Sequence, residues 1–549
     1  MASPCPLAEP GKPLGVCYNL TPLSSLYPTL MNRLKKIIKI LLVVILVALI
    51  AFFAGRIWDT RQMQPLERWH TFEPKEMSID ALNKGDWAAY MASEAKIFDS
   101  VRREVTDKIE PSAQTPFNRY YADSTVYPGN YEQDWNRSYV MHPAGKPVGA
   151  VVLLHGLTDS PYSLRHVARR YVADGFVVVA IRLPGHGTVP AGLSNVEWEE
   201  WSAATRLAIR EAKRLSSSEA PLHIVGFSNG GALAVKYALD ALEDKQLARP
   251  DRLILLSPMI GVTRFARLAG LAGLPAVLPS FAKAAWLSIV PEFNPFKYNS
   301  FPANGGLQSY RLTQALQEQI VRLANNDALK NIAPILTFQS VMDFTVSTRA
   351  IIASLYAYLP ANGSELVLFD VNRSVNFGPL LRRSAQTALN RVMPDLPQDY
   401  RIAIVGSHPD NTTLAGVTVF EPGQASPTIK TLAGISYTPD IYSMSHISIP
   451  FPLSDPLYGL RPDTSQEDFG VKLGTLTPRG ERGALVVNLD FLGRVASNPF
   501  FPFMLERIDA GVRDPNPRVL AGDSKAHGKA KLLNDAEYLS DLDDPNVTP

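Results

Sequence analysis

The stretch HIVGFSNGGALA, His223–Ala234, sets a serine between glycines at the point where an apolar run gives way to a helix-forming one. Ser228 closes PLHIVGFS (221–228), which has the composition of a buried strand, and precedes GGALAVKYALDAL, which continues as a helix. A sharp strand-to-helix turn lifts a serine hydroxyl above a sheet edge, and glycines at 226, 230 and 231 remove the side chains that would collide there. The alternative is an ordinary glycine-rich loop. Strand, serine and helix in direct succession favour a nucleophile at Ser228, because the helix N-terminus also points amide groups and positive dipole at an anion forming beside it.

Outward from this turn, short apolar runs alternate with amphipathic segments. VGAVVLLHG (148–156), GFVVVAIRLPGHG (175–187), DRLILLSP (251–258), APILTFQS (333–340) and ELVLFDV (365–371) have the look of strands buried on both faces. Between them, Pro161 opens a segment capped by Ser160, with Leu164, Val167, Ala168 and Tyr171 on one stripe. In residues 196–215, Trp198, Trp201, Ala204 and Ala208 share a face. Such alternation predicts a mainly parallel sheet covered by helices on both faces.

The chain has 549 residues, 46% hydrophobic and 19% charged, enough for a large core. Its net charge of +2, without a basic stripe interleaved with aromatics, gives no support to a nucleic-acid partner. The two cysteines, Cys5 and Cys17, precede the first apolar run, which leaves the body without disulfides or thiolate metal sites. No His/Asp/Glu cluster has metal-ligand spacing and no phosphate-cradling loop is present, so no metal or cofactor is expected.

Arg33, Lys35, Lys36 and Lys39 precede an uncharged run from Ile40 to Gly55, and residues 37–56 approach the length that spans a bilayer. Ala48, Ala51 and Ala54 lack the small-x-small spacing of a cleavage site, which favours a retained transmembrane signal anchor over a cleaved leader. The basic N-terminal flank predicts that residues 1–36 are cytoplasmic and the body lies on the outer side. Met31 opens a well-formed anchor by itself, and Cys17 lacks the upstream apolar segment of a lipidation signal. Residues 57–147 are expected to link anchor and body and to add early antiparallel strands. The 28 residues from Gly522 read as a disordered tail.

Three stretches resemble the α/β-hydrolase superfamily, in its bacterial carboxylesterase and monoacylglycerol-lipase-like (serine aminopeptidase-like) branch: residues 153–187, 223–239 and 335–347. The resemblance implies an α/β-hydrolase domain over 148–521. The oxyanion hole would be the amides of Leu157, after His155 and Gly156, and of Asn229, after the nucleophile. It implies the acid at Asp343, with Asp370 as rival, and a lid over about 261–330, where Phe265, Leu268, Leu271 and Leu274 recur in an apolar segment. The sequence departs from the family where a histidine should follow ELVLFDV: none occurs in NRSVNFG. An insertion over about 371–438, with strand-like YRIAIVGS and LAGVTVF, intervenes. His446, between a serine-rich turn and a proline-rich loop, then fits the catalytic histidine, with His408 as rival. His186 reads as structural, and His142, His166, His223 and His527 as surface or packing residues.

The order Ser228, Asp343, His446 follows the nucleophile, acid, histidine order of this fold. The expectation is a membrane-anchored serine hydrolase acting on a small-molecule or lipid ester. An amidase or peptidase on the same fold, or a catalytically silent tethered module, are the alternatives.

Overall fold

The computed structural model describes residues 26–261, 279–373, 381–408, 414–475, 480–481, 484 and 497–513. It divides into two compact units, Met1–Gln62 and Met63–Pro549. In the first, a 37-residue helix covers Leu26–Gln62. Its stretch Met31–Gly55 is long and apolar enough to cross a membrane. At 1.5 Å per residue those 25 residues extend about 37 Å, against roughly 30 Å of bilayer hydrocarbon.

The second unit is organised by strands β1 (Tyr139–Met141), β2 (Gly149–Leu154), β3 (Phe176–Ile181), β4 (Leu222–Phe227), β5 (Arg252–Leu256), β6 (Trp286–Ser288), β7 (Phe301–Pro302), β8 (Ile335–Ser340), β9 (Glu365–Phe369), β10 (Arg401–Ser407), β11 (Ala415–Phe420) and β12 (Thr428–Leu432). Ten of them form one sheet in the order β1-β3-β2-β4-β5-β8-β9-β10-β11-β12, and β6 pairs with β7 apart from it. From β3 through β10 every neighbouring pair is parallel, while β1, β11 and β12 pair antiparallel.

The central strands are apolar throughout because each face carries its own core. Ala150, Val152 and Leu154 pack on one side of β2 with Trp201, Leu207 and Leu233, while Val151 and Leu153 pack on the other with Tyr162, Val167 and Phe501. This is the alternation of a pleated strand applied to a sheet covered on both faces. The helix Trp198–Leu215 buries Trp201, Ala204 and Ala208 as its stripe predicts, with Trp198 partly buried against the same core.

Two expectations are corrected. The segment after Ser160 is a 3-10 turn, Pro161–Leu164, leading into the helix Arg165–Ala173, and the Ser160 side chain makes no cap hydrogen bond. Among the described part of residues 57–147 there is one strand, β1, with helices around it; the helix Trp87–Glu104 is the longest. It is tied to the sheet through buried Glu94, whose carboxylate accepts the Ser138 amide (3.0 Å) and hydroxyl (2.7 Å) and the Arg182 Nε–H (3.1 Å). Arg182 is held from its other side by Glu76 at 2.7 Å. The insertion, whose place the sequence leaves open, extends the sheet. β10 adds parallel to β9 in the register Arg401 to Glu365, and β11 and β12 follow as an antiparallel meander.

Of the lid segment, residues 262–278, with Phe265, Leu268, Leu271 and Leu274, lie outside the described residues, as do 522–549. The described remainder holds β6, β7 and the helix Ala303–Asn325.

Candidate active site

Ser228 sits between β4 and the helix Asn229–Glu243 with φ +54° and ψ −114°, a backbone conformation that L residues rarely adopt. The turn is clamped from below, since its amide donates to Leu256 O (2.9 Å) and its carbonyl accepts Gly231 N–H (3.0 Å) and Met259 N–H (2.9 Å). The glycines are required by close approach. A Cβ at Gly231 would stand 2.7 Å from Pro258 Cβ, and one at Gly226 or Gly230 would strike backbone carbonyls. A loop held this tightly keeps a strained residue in place because relaxing it would break the surrounding packing.

The hydroxyl of Ser228 meets Nε2 of His446 at 2.9 Å, and Nδ1 of the same ring meets Asp343 Oδ2 at 2.8 Å. With the carboxylate ionised, Nδ1–H donates to Asp343 and Nε2 accepts the serine proton. Asp343 follows β8, and its other oxygen accepts the amides of Thr345 (2.8 Å) and Val346 (2.9 Å), which fixes the carboxylate plane. The Asp343 side chain has 0% exposure and His446 has 5%. The imidazole lies nearly parallel to the Phe227 ring, 5.5 Å between centroids.

The loop carrying His446 is fastened at several points. Ser340 Oγ–H donates to Met444 O (2.8 Å), and Asn372 Nδ2 donates to Thr438 O (2.9 Å) and Ile441 O (2.8 Å). Glu481, wholly buried, accepts the His446 amide at 2.8 Å, and its own amide donates to Ser443 Oγ at 2.8 Å. Nothing in the local sequence marks Glu481: within PRGERGA it reads as a surface charge.

Beside the serine stands the end of β2. A Cβ on Gly156 would lie 3.2 Å from Ser228 Cβ, so the His155–Gly156–Leu157 segment runs against the serine. Thr158 turns the chain with φ +62°. His155 bridges outward, with Nε2 accepting Leu183 N–H (3.0 Å) and Nδ1 donating to Gly156 O (2.9 Å); burial holds it well below the usual imidazole range. Its ring packs 5.0 Å from that of His186, which burial lowers to about 4. Asn229 opens its helix, so its amide is one of those without an intrahelical acceptor.

The rivals lie elsewhere. Asp370, after β9, pairs with Arg373 at 2.8 Å. His408, after β10, donates its amide to Leu414 O at 2.8 Å. His166 and His223 are interior: His166 meets Asp455 at 2.9 Å and His223 meets the Tyr171 hydroxyl at 3.0 Å. Among the described residues no group of three or more His, Cys, Asp or Glu side chains is placed to hold a metal.

A mainly parallel sheet covered on both faces, with a strained serine at a strand-to-helix elbow, defines an α/β-hydrolase. Residues 145–372 match the family model described as serine aminopeptidase, S33. A thermostable monoacylglycerol lipase of Bacillus sp. (strain H-257) is 27% identical over 201 residues, 36% of this chain and 72% of that protein. Phospholipase YtpA of Bacillus subtilis is 26% identical over 151 residues, covering 27% of this chain and 55% of its own length. Among solved structures, a Paleococcus ferrophilus monoacylglycerol lipase is 18% identical over 47% of this chain and 98% of that one, with a TM-score of 0.32. A soluble variant of the Saccharomyces cerevisiae monoglyceride lipase is 13% identical over 44% and 84%, with a TM-score of 0.33. The matched region resembles the α/β-hydrolases of the branch that includes monoacylglycerol lipases, and the chain is a serine hydrolase of esterase or lipase type.

Proposed function

We propose that this protein is a membrane-anchored hydrolase of carboxylic esters, with monoacyl lipids as the substrate class, working through Ser228, His446 and Asp343. The observation that carries the reading is the hydrogen-bonded chain from Ser228 Oγ through His446 to Asp343 Oδ2, at 2.9 and 2.8 Å.

In this reading Ser228 Oγ attacks the ester carbonyl carbon while its proton passes to His446 Nε2. Asp343 holds the tautomer and stabilises the imidazolium. The amides of Leu157 and Asn229 receive the oxyanion, and the helix beginning at Asn229 adds its dipole. Collapse of the tetrahedral species breaks the bond to the alcohol, which leaves with the proton from His446. Water, deprotonated by the same Nε2, then attacks the acyl-enzyme, and the carboxylic acid departs as Ser228 regains its proton.

The lipid assignment draws on the helix Met31–Gly55 and on the names of the two Bacillus relatives, a monoacylglycerol lipase and a phospholipase. As a retained anchor, with its basic flank in the cytoplasm and the body on the outer side, that helix would hold the body near lipid substrates and raise their effective concentration. The serine aminopeptidase description of the matching family model keeps amide hydrolysis as a second reading.

The test is labelling of the full chain with a fluorophosphonate probe, followed by release of fatty acid from monoacylglycerol and of amine from aminoacyl amides. Labelling that disappears in Ser228→Ala, with ester turnover above amide turnover, is expected. An unlabelled wild type, or labelling that persists in Ser228→Ala, rejects the reading.

A further inference from the structure

A cavity of about 270 Å³ lies between the helix Trp87–Glu104, the segment 119–137 and the turn at Gly187–Thr188. Its lining includes none of Ser228, Asp343, His446, Leu157 or Asn229. One part of the wall is apolar, with Phe98, Val101 and Pro128, and the other carries Arg119, Asn136 and Arg137.

Arg119 is the unusual member. It is 2% exposed, yet among the described residues no carboxylate comes within ion-pairing distance of its guanidinium. One terminal nitrogen donates to Asn294 O (3.1 Å), the other to Asn136 Oδ1 (3.2 Å), and Nε–H has no acceptor among the described residues. The faces of Tyr120 and Tyr298 stand 5.5 and 5.7 Å away, which softens the loss of hydration without neutralising the charge.

Glu292 and Asp134 lie close enough to feel the Arg119 charge, and Asp99 and Asp134 line the cavity, but the hydrogen bonds of all three carboxylates go to other groups. Asp134 pairs with Arg137 at 3.4 Å and accepts the Asn136 amide at 3.1 Å. Asp99 binds Arg102 (2.9 Å) and Arg103 (2.6 Å). Glu292 turns its carboxylate to the amides of Asn299 (2.9 Å) and Ser300 (2.7 Å), while its carbonyl takes the Arg119 amide. A buried cation is costly unless paired, and guanidinium is the side chain best shaped to receive a planar carboxylate. An inorganic anion would meet the charge but make no use of the apolar wall, where the Arg137 guanidinium stands 3.9 Å from the Phe98 ring centroid.

We propose that this cavity is a second binding site, for a small organic carboxylate whose anionic group pairs with Arg119 and whose apolar body rests on Phe98, Val101 and Pro128. The site is independent of the catalytic assignment, so it stands or falls separately from it.

Calorimetric titration of the full chain in detergent, with sodium benzoate, butanoate and inorganic phosphate at matched ionic strength, tests it. Benzoate or butanoate should bind saturably, and Arg119→Gln should weaken that binding at least tenfold. Because Arg119→Gln removes a buried group, Ala95→Trp is the companion variant. Ala95 lines the cavity from an exposed position, and an indole there should obstruct it with little change in the unliganded melting temperature. No saturable carboxylate binding, binding of phosphate alone, or binding that survives Ala95→Trp undiminished would overturn the proposal.

Discussion

Glu481 Oε2 accepts the main-chain amide of His446 at 2.8 Å, from a side chain that has no solvent exposure. The loop that brings the imidazole to Ser228 is therefore held by a carboxylate bonded to its main chain. Glu481→Gln keeps an acceptor oxygen and should retain kcat within about threefold. Glu481→Ala strands a buried donor, and misplacement of a reacting group is costly, so kcat should fall roughly 10- to 100-fold with KM nearly unchanged. Steady-state kinetics on one soluble ester separates the two; equal losses in both variants would argue against a positioning role.

For the histidine and the acid, His446→Ala and Asp343→Asn should each lower ester turnover by about three to four orders of magnitude. His408→Ala and Asp370→Asn, after β10 and β9, should stay within about tenfold. The reverse ranking would move the base into the insertion.

The conformation of Ser228 predicts a stability order. Ser228→Ala and Ser228→Gly both lose the hydroxyl, but glycine adopts φ +54°, ψ −114° without a Cβ penalty. Strain at such positions is of order 1–3 kcal/mol and exceeds the extra chain entropy of glycine, so Ser228→Gly should unfold at the higher temperature, by about 1 kcal/mol. Differential scanning calorimetry of the two variants decides it; a lower melting temperature for glycine would mean the turn carries no strain.

Stability should fall with acid in a defined window. Burial lowers His70, His166 and His186 to about 4 and His223 to about 3, with Arg165 adding to the shift at His166 and Arg252 at His223. These rings are neutral in the folded chain and take up a proton from about pH 6.5 when it unfolds, so the unfolded state binds more protons below that pH. Their contribution is complete above about 6.5 and is lost progressively as pH falls toward about 3 to 4. His223→Gln should flatten the decline, measured as melting temperature against pH; an unchanged slope would place the protonation elsewhere.

An N-terminal truncation tests what the first helix does. Removal of residues 1–62, a compact unit separate from the rest, should leave turnover of short soluble esters unchanged while lowering hydrolysis of monoacylglycerol in vesicles about tenfold or more. Equal activity of both proteins on vesicles would reject a tethering role.

The sequence by itself determined the features whose physics is local. Val, Ile and Leu runs buried on both faces announce β2 to β5, and a strand, a serine and a helix in succession announce the elbow, because each is settled by residues within a few positions of one another. The apolar run after Met31 is of the same kind. Only the tertiary structure decided what meets across long separations: His446 reaches Ser228 over 218 residues and Asp343 over 103. The strand-like runs at 400–407 and 414–420 are visible, but their place beside β9 is not, since a strand's partner is chosen by backbone pairing that leaves no mark in its own sequence. Glu481 and Arg119 were invisible for a related reason: a charged residue is written the same way whether it faces water or is enclosed, and burial is a property of what the rest of the chain packs around it.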